Sequence, residues 1–266
     1  LQVWDEPEPL VGMSDAVEVS ASYTLTCVRD MDDGVFCGKP NEPWSQWFVN
    51  AAQISVGNFD ACTRRNNGTV ECEVQKDGAR TVMPNLIDAV HLSARSGVHR
   101  CAIRATGERV CWGENTYGQL GTGITMEHTA PLIADAPPLK HIAAGLHVTV
   151  GAGVDGKMYW WGNLGQKVQP KPLAVVMPFA VDRVVAGAGR NLCALSASGQ
   201  VACIGMNADG QLASENKEIE KPLYIPLPAS AVQLSLGLGH ACAILKTGGV
   251  ACWGSNTAGQ LGYEGP

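Results

Sequence analysis

Apolar and polar positions recur along the chain in blocks of one design. Each block opens on a short apolar run that ends in small residues. Examples are Val90-His91-Leu92-Ser93, Ile142-Ala143-Ala144-Gly145, Val184-Val185-Ala186-Gly187 and Leu234-Ser235-Leu236-Gly237. A second segment follows, in which two apolar ends flank a polar middle that contains glycine. It reads Cys-Ala-Ile-Arg-Ala-Thr-Gly-Glu-Arg-Val-Cys at 101–111 and Cys-Ala-Ile-Leu-Lys-Thr-Gly-Gly-Val-Ala-Cys at 242–252. Short apolar runs around such a centre signal two strands and a turn, not a helix. The pattern therefore predicts a strand and then a β-hairpin in each block. Turns fall near Asp33-Gly34, Asn67-Gly68, Thr106-Gly107, Asp155-Gly156, Ser198-Gly199 and Thr247-Gly248.

The ten cysteines sharpen this picture. They pair in order, Cys27 with Cys37, Cys62 with Cys72, Cys101 with Cys111, Cys193 with Cys203 and Cys242 with Cys252, each ten positions apart with none left over. Structural zinc sites take ligands two to four residues apart, closer than any of these pairs. Helical hairpins with twin C-x9-C motifs share the spacing but not the glycine-centred content. Facing residues on antiparallel strands have Cβ atoms about 4.5–5.5 Å apart, closer in non-hydrogen-bonded pairs. A disulfide needs about 3.5–4.5 Å, so a cross-strand bond fits. Five pairs of reduced core cysteines are the alternative. The fourth hairpin favours the bond: Val150 and Trp160 stand where the two cysteines would be, so both are missing together. Five such bonds imply an oxidising compartment.

After the hairpin comes a loop signature. Three copies, at 112–121, 204–212 and 253–262, share Gly-x-Asn-x-x-Gly-Gln-Leu, and Trp161-Gly162-Asn163-Leu164-Gly165-Gln166 is a shortened fourth. Glycine permits positive φ there, and asparagine can bond the backbone from its side chain. This repeat resembles the regulator of chromosome condensation repeat family, whose members are β-propellers. The resemblance is clear from about residue 87 to 262 and weaker over 11–86. The family's Gly-x-x-His stands as Gly237-Leu238-Gly239-His240, is shortened to Gly145-Leu146-His147, and has Asn191 in place of a histidine. Cysteine-paired versions look more like secreted or surface relatives.

The resemblance implies an all-β propeller, and the repeat count sets its size. The first hairpin cysteine, or its equivalent, falls at 27, 62, 101, 150, 193 and 242, at intervals of 35 to 49 residues, and 51 residues remain across the two chain ends. That remainder is one more repeat length. Six blades follow, with seven, as in the nuclear family member, the alternative. Residues 1–266 form a single domain. Pro7-Glu8-Pro9-Leu10 resembles Ala136-Pro137-Pro138-Leu139, so the two chain ends share a blade and close the ring. Closure removes free strand edges.

Candidate sites come from register. The residue two before each marker forms an axial ring: Leu25, Asp60, His99, Val148 (or His147 with a gap), Asn191 and His240. Convergence would offer a metal or polar ligand three histidines and an aspartate; separate packing in each blade is the bland reading. His91, His128 and His141 fall in no shared register. Trp112, Trp161 and Trp253 repeat and belong to the core. Trp44, Trp47 and Phe48 do not repeat, and with Tyr117 of the loop signature they are the candidate partner-binding aromatics.

Composition removes further possibilities. The 19 Lys and Arg against 25 Asp and Glu give a net charge of -6, which argues against nucleic-acid binding. No apolar run is long enough to span a membrane as a helix. No catalytic motif, phosphate loop or dinucleotide fingerprint is present, so no enzyme, cofactor or resident metal is expected. The reading is a non-enzymatic protein-binding scaffold acting outside the cytosol: extracellular, periplasmic or at the cell surface. Its alternatives are a nucleotide exchange factor for a small GTPase and a propeller with an axial His/Asp ligand site.

Overall fold

The computed structural model describes residues 15–22, 25–38, 43–57, 60–74, 79–94, 99–133 and 137–262. They form six antiparallel sheets, each wound up and down in chain order. Blade 1 is β1 (Ala16–Ala21), β2 (Thr26–Asp30), β3 (Val35–Gly38) and β4 (Ser45–Phe48). Blade 2 is β5 (Ala51–Val56), β6 (Asp60–Arg65), β7 (Val70–Val74) and β8 (Arg80–Val82). Blade 3 is β9 (Ala89–Ser93), β10 (His99–Arg104), β11 (Arg109–Gly113) and β12 (His128–Ile133). Blade 4 is β13 (Leu139–Ala144), β14 (Val148–Gly153), β15 (Met158–Leu164) and β16 (Lys167–Val175). Blade 5 is β17 (Val181–Ala186), β18 (Asn191–Ser196), β19 (Val201–Met206) and β20 (Glu218–Tyr224). Blade 6 contributes β21 (Ala231–Leu236), β22 (His240–Leu245) and β23 (Val250–Gly254). No helix occurs among the described residues. The fold is an all-β, six-bladed propeller; the expected closure through residues 7–10 lies outside the described residues.

The hairpins fall where the glycine-centred segments placed them. Gly68, Gly107, Gly156, Gly199 and Gly248 turn with positive φ; in blade 1 Asp33, not Gly34, takes that conformation, at φ 61°. Each turn also joins the next blade. The carbonyls of Asp33, Gly68, Gly107, Gly156 and Gly199 accept the N–H of Ala51, Ala89, Leu139, Val181 and Ala231, the first residues of β5, β9, β13, β17 and β21. One face of the propeller is thereby stitched blade to blade.

All five cysteine pairs stand directly opposite one another and are bonded, with Cα atoms 4.0–4.1 Å apart and no free cysteine. Each bond ties the two middle strands of its blade. In blade 4 the same register holds Val150 opposite Trp160, 0% and 4% exposed. Apolar bulk fills the place a disulfide takes elsewhere.

Every innermost strand carries a bulge at one position, between Ala16 and Glu18, Ala51 and Gln53, Ala89 and His91, Leu139 and His141, Val181 and Arg183, and Ala231 and Gln233. A bulge bends its strand and re-aims the next side chain. Six repetitions of it put six equivalent side chains on the propeller axis.

Candidate functional site

The ring expected from the second strands does not lie on the axis. Leu25, Asp60, His99, Val148 and Asn191 are 0–2% exposed and sit in the seams between blades. Asp60 of blade 2 forms an ion pair with Arg100 of blade 3. His99 of blade 3 bonds Thr149 of blade 4, at 2.7 Å. Val148 of blade 4 packs in one apolar cluster with Leu192 of blade 5. The partner each time is the second residue of the next blade's second strand. These positions lock neighbours together instead of meeting at a common point. Among the described residues no three of His, Cys, Asp and Glu stand close enough to hold a metal ion.

The His99 bond fixes its own tautomer. Thr149 Oγ1 gives its one proton to the Gln119 carbonyl at 2.7 Å, so His99 Nε2 must donate to Thr149. Nδ1 is then unprotonated, buried and without a hydrogen-bond partner. Burial, with a smaller contribution from His147, pushes the His99 pKa down to about 3. The ring is a neutral strut. His147, one residue before that register, lies with its ring centroid 4.9 Å from that of Tyr117. Asn191 is fully buried, and neither amide atom has a partner. His240 is half-buried and lies so close over Gly237 that a Cβ there would fall 2.2 Å from its ring, which explains the glycine of Gly-x-x-His.

The axis is lined by the first strands. Residues of β1, β5, β9, β13, β17 and β21 enclose one cavity of about 380 Å³. Its outer level is Glu18, Gln53, His91, His141, Arg183 and Gln233, the residue after the bulge in every blade. His91 and His141 thus share a register that the sequence reading denied them, and their ring centroids are 4.4 Å apart. Five residues separate the end of β9 from the start of β10 and three separate β13 from β14, so anchoring the two blocks on their turn glycines shifts the frame by two residues. Counting from the strand start, Ala-Val-His against Leu-Lys-His, would have found the match.

Two residues inward, Ser20, Ser55 and Ser93 accept the N–H groups of Val56, Ala94 and Ala144 on the following blades, at 3.1, 2.6 and 2.9 Å. Gln53 spans the same seam with both amide atoms, bonding the N–H and C=O of Leu92 at 2.9 Å each. Further in, glycine backbones close on one another. A Cβ on Gly145 would lie 2.8 Å from the Gly187 carbonyl, and one on Gly187 would lie 2.9 Å from the Gly237 carbonyl. Burial and then the Arg64 guanidinium push the His91 pKa down to about 4. Glu18 accepts from Arg29 Nε at 3.0 Å and from the Ile54 N–H at 3.2 Å.

The loop signature is built as its residues imply. Asn115 Oδ1 accepts the Leu120 N–H, while its Nδ2 donates to the carbonyls of Ile124 and Met126. Asn207 repeats this with Leu212, Ser214 and Asn216. Asn256 accepts from Leu261. Among the candidate aromatics, Phe48 is corrected: it is 2% exposed inside the core of blades 1 and 2 and has no surface to offer. Trp44, Trp47 and Tyr117 are half-buried. Trp44 covers Gly38, where a Cβ would lie 2.8 Å from the indole, and Trp47 donates to Ser45 Oγ at 3.0 Å.

Residues 231–260 match the family model for the regulator of chromosome condensation (RCC1) repeat. Through this segment the β-propeller carries a match to the RCC1 repeat. This segment holds β21 to β23 and most of the third loop signature, so the repeat is the bulged inner strand, the disulfide hairpin and the Asn-anchored loop. The ultraviolet-B receptor UVR8 of Arabidopsis thaliana is 31% identical over 127 residues, covering 43% of this chain and 29% of the receptor. The chain spans less than a third of the first curated relatives it matches. Among solved structures, Prp20p of Saccharomyces cerevisiae superposes with a TM-score of 0.78 at 16% identity, over 90% of this chain and 72% of that one. The ectodomain of the Arabidopsis thaliana receptor kinase ACR4 superposes with a TM-score of 0.61 at 19% identity, over 90% and 79%. At these identities the likeness is one of fold.

Proposed function

We propose that this propeller is a non-enzymatic scaffold that holds a protein partner on its loop face and works outside the cytosol. The observation that carries this reading is the set of five buried or half-buried disulfides with no cysteine left free. Reducing compartments do not keep such bonds, so an oxidising one is indicated. The likeness to a receptor-kinase ectodomain supports the same location. The loop face carries the β1–β2 type and β3–β4 type connections, including the Asn-anchored loops and Trp44 and Tyr117. Loops already fixed by side-chain bonds lose little ordering entropy on binding. Half-buried aromatics are the contacts that dominate protein interfaces. Prp20p is described by its binding to Gsp1p and histones, which supports protein recognition as a use of this fold.

The test is affinity capture from the native source with mass spectrometry. It compares the wild-type chain with the triple variant Trp44→Ala, Trp47→Ala, Tyr117→Ala. Loss of a stoichiometric partner from a variant that still unfolds cooperatively above the capture temperature is the expected result; equal capture by both would sink the loop face. Ten free thiols in protein purified from its source under denaturing, non-reducing conditions would sink the location.

A further inference from the structure

We infer that the axial cavity is a binding site for a small oxyanion, a carboxylate- or phosphate-bearing molecule. Its size falls in the range of small-molecule pockets, about 300–1,000 Å³. Its lining carries donors in serine hydroxyls, a guanidinium and two imidazoles, beside one carboxylate, Glu18, and the Gln233 amide. Ser20, Ser55 and Ser93 each spend a lone pair on a backbone N–H of the next blade, and their own hydroxyl protons remain to be given. All three are 6–7% exposed. Gln53, which could offer an acceptor, has both amide atoms committed across the seam. At the outer level Arg183 donates to a backbone carbonyl, Val232 O at 3.4 Å, and shares Asp182 with Lys140. A fork of guanidinium donors suits a planar or tetrahedral oxyanion. The His91 and His141 rings stand beside one another in the same level, and His91 Nδ1 has no partner.

The charge around the cavity agrees. Glu18 is its one lining carboxylate, and Arg29 and a backbone N–H hold it. Arg64, opposite Gln53 in the sheet, adds a further cation close enough to act on His91 and Glu18. The lining itself balances Arg183 against Glu18, and Arg29 and Arg64 act on Glu18 from outside it. The glycine backbones beyond the serines narrow the inner end, so a ligand enters from the face of the hairpin turns.

Isothermal titration with citrate, inorganic phosphate and sulfate at matched ionic strength tests this. Saturable one-to-one binding of citrate or phosphate is expected, and which of them binds separates a carboxylate ligand from a phosphorylated one. Arg183→Gln, on a side chain 56% exposed, should weaken that binding tenfold or more without changing the melting midpoint. Lys221→Gln should leave it unchanged. Histidine C2–H resonances of His91 and His141 should shift on titration while that of His128 does not. Absence of saturable binding by all three anions up to about 10 mM, a concentration matching only about 3 kcal/mol of affinity, overturns the inference. Binding that Arg183→Gln leaves intact also overturns it.

Discussion

Blades 4 and 5 are neighbours with the same strand order and register, but only blade 5 is bonded. Cys193 and Cys203 face each other in one, Val150 and Trp160 in the other. The other blades use the covalent tie, so the position needs holding, not a particular chemistry. Blade 4 holds it with volume: Trp160, Trp161 and Met158 are 0–4% exposed, and β15 and β16 run for 7 and 9 residues. It also draws support from blade 3. Thr149 closes the His99 bond, and Gly123 of the blade 3 loop donates to Pro170 on β16 at 2.9 Å. The unbonded blade is braced by its neighbour.

The largest expected effect breaks the bulk. Trp160→Ala should cost about 3–5 kcal/mol, the range for emptying a buried aromatic site. The change in urea midpoint under oxidising conditions measures it. A cost under about 1 kcal/mol would show that volume does not replace the bond. Next comes the bond itself. Cys193→Ala with Cys203→Ala should cost about 3 kcal/mol by the chain-entropy account of a short closed loop. If both changes cost alike, the two blades solve one problem by different means. A reducing agent should then destabilise the molecule while leaving the effect of Trp160→Ala in place.

Acid should attack the brace between blades 3 and 4. His99 is held near a pKa of about 3 by burial, below the unfolded value of about 6.5. The unfolded chain therefore binds the proton first. The strut's contribution is complete above about pH 6.5 and is lost as pH falls from there toward 3, at about 1 kcal/mol per unit. His91, at about 4, adds a second loss that ends sooner. His99→Gln keeps a donor for Thr149 and removes the titration. The urea midpoint of this variant should fall less steeply between about pH 6.5 and 4 than that of the wild type. Parallel curves would remove His99 from the acid response.

Much of this was legible in the residues. The Cys pairs measured the blades and located the hairpins, because a cross-strand bond demands one register. The Asn-anchored loop could be read because two signature side chains, the asparagine and the glutamine, make bonds within it. The axial site could not be read that way. Its members are chemically unlike, glutamate, glutamine, histidine, histidine, arginine and glutamine, and only the bulge makes them equivalent. A bulge leaves no residue signature of its own. The second-strand ring failed for a related reason: register gave the equivalence of Asp60, His99 and Asn191, but not whether their side chains face the axis or the seam.

The smallest effect concerns the seam between blades 5 and 6. Asn191 occupies the position where Asp60 has Arg100 and His99 has Thr149, yet neither of its amide atoms is bonded. An unsatisfied buried amide costs about 1–3 kcal/mol. Blade 4 shows an apolar answer at the same place, Val148 beside Leu192. Asn191→Val should therefore stabilise the chain by about 1 kcal/mol, since a polar group that gains nothing from burial is replaced by one that does. A raised thermal midpoint at constant pH would fit. A lowered midpoint would mean that the amide holds a bond its seam depends on, such as one through a buried water. Blades 5 and 6 would then be latched by a polar contact, as blades 2 and 3 and blades 3 and 4 are.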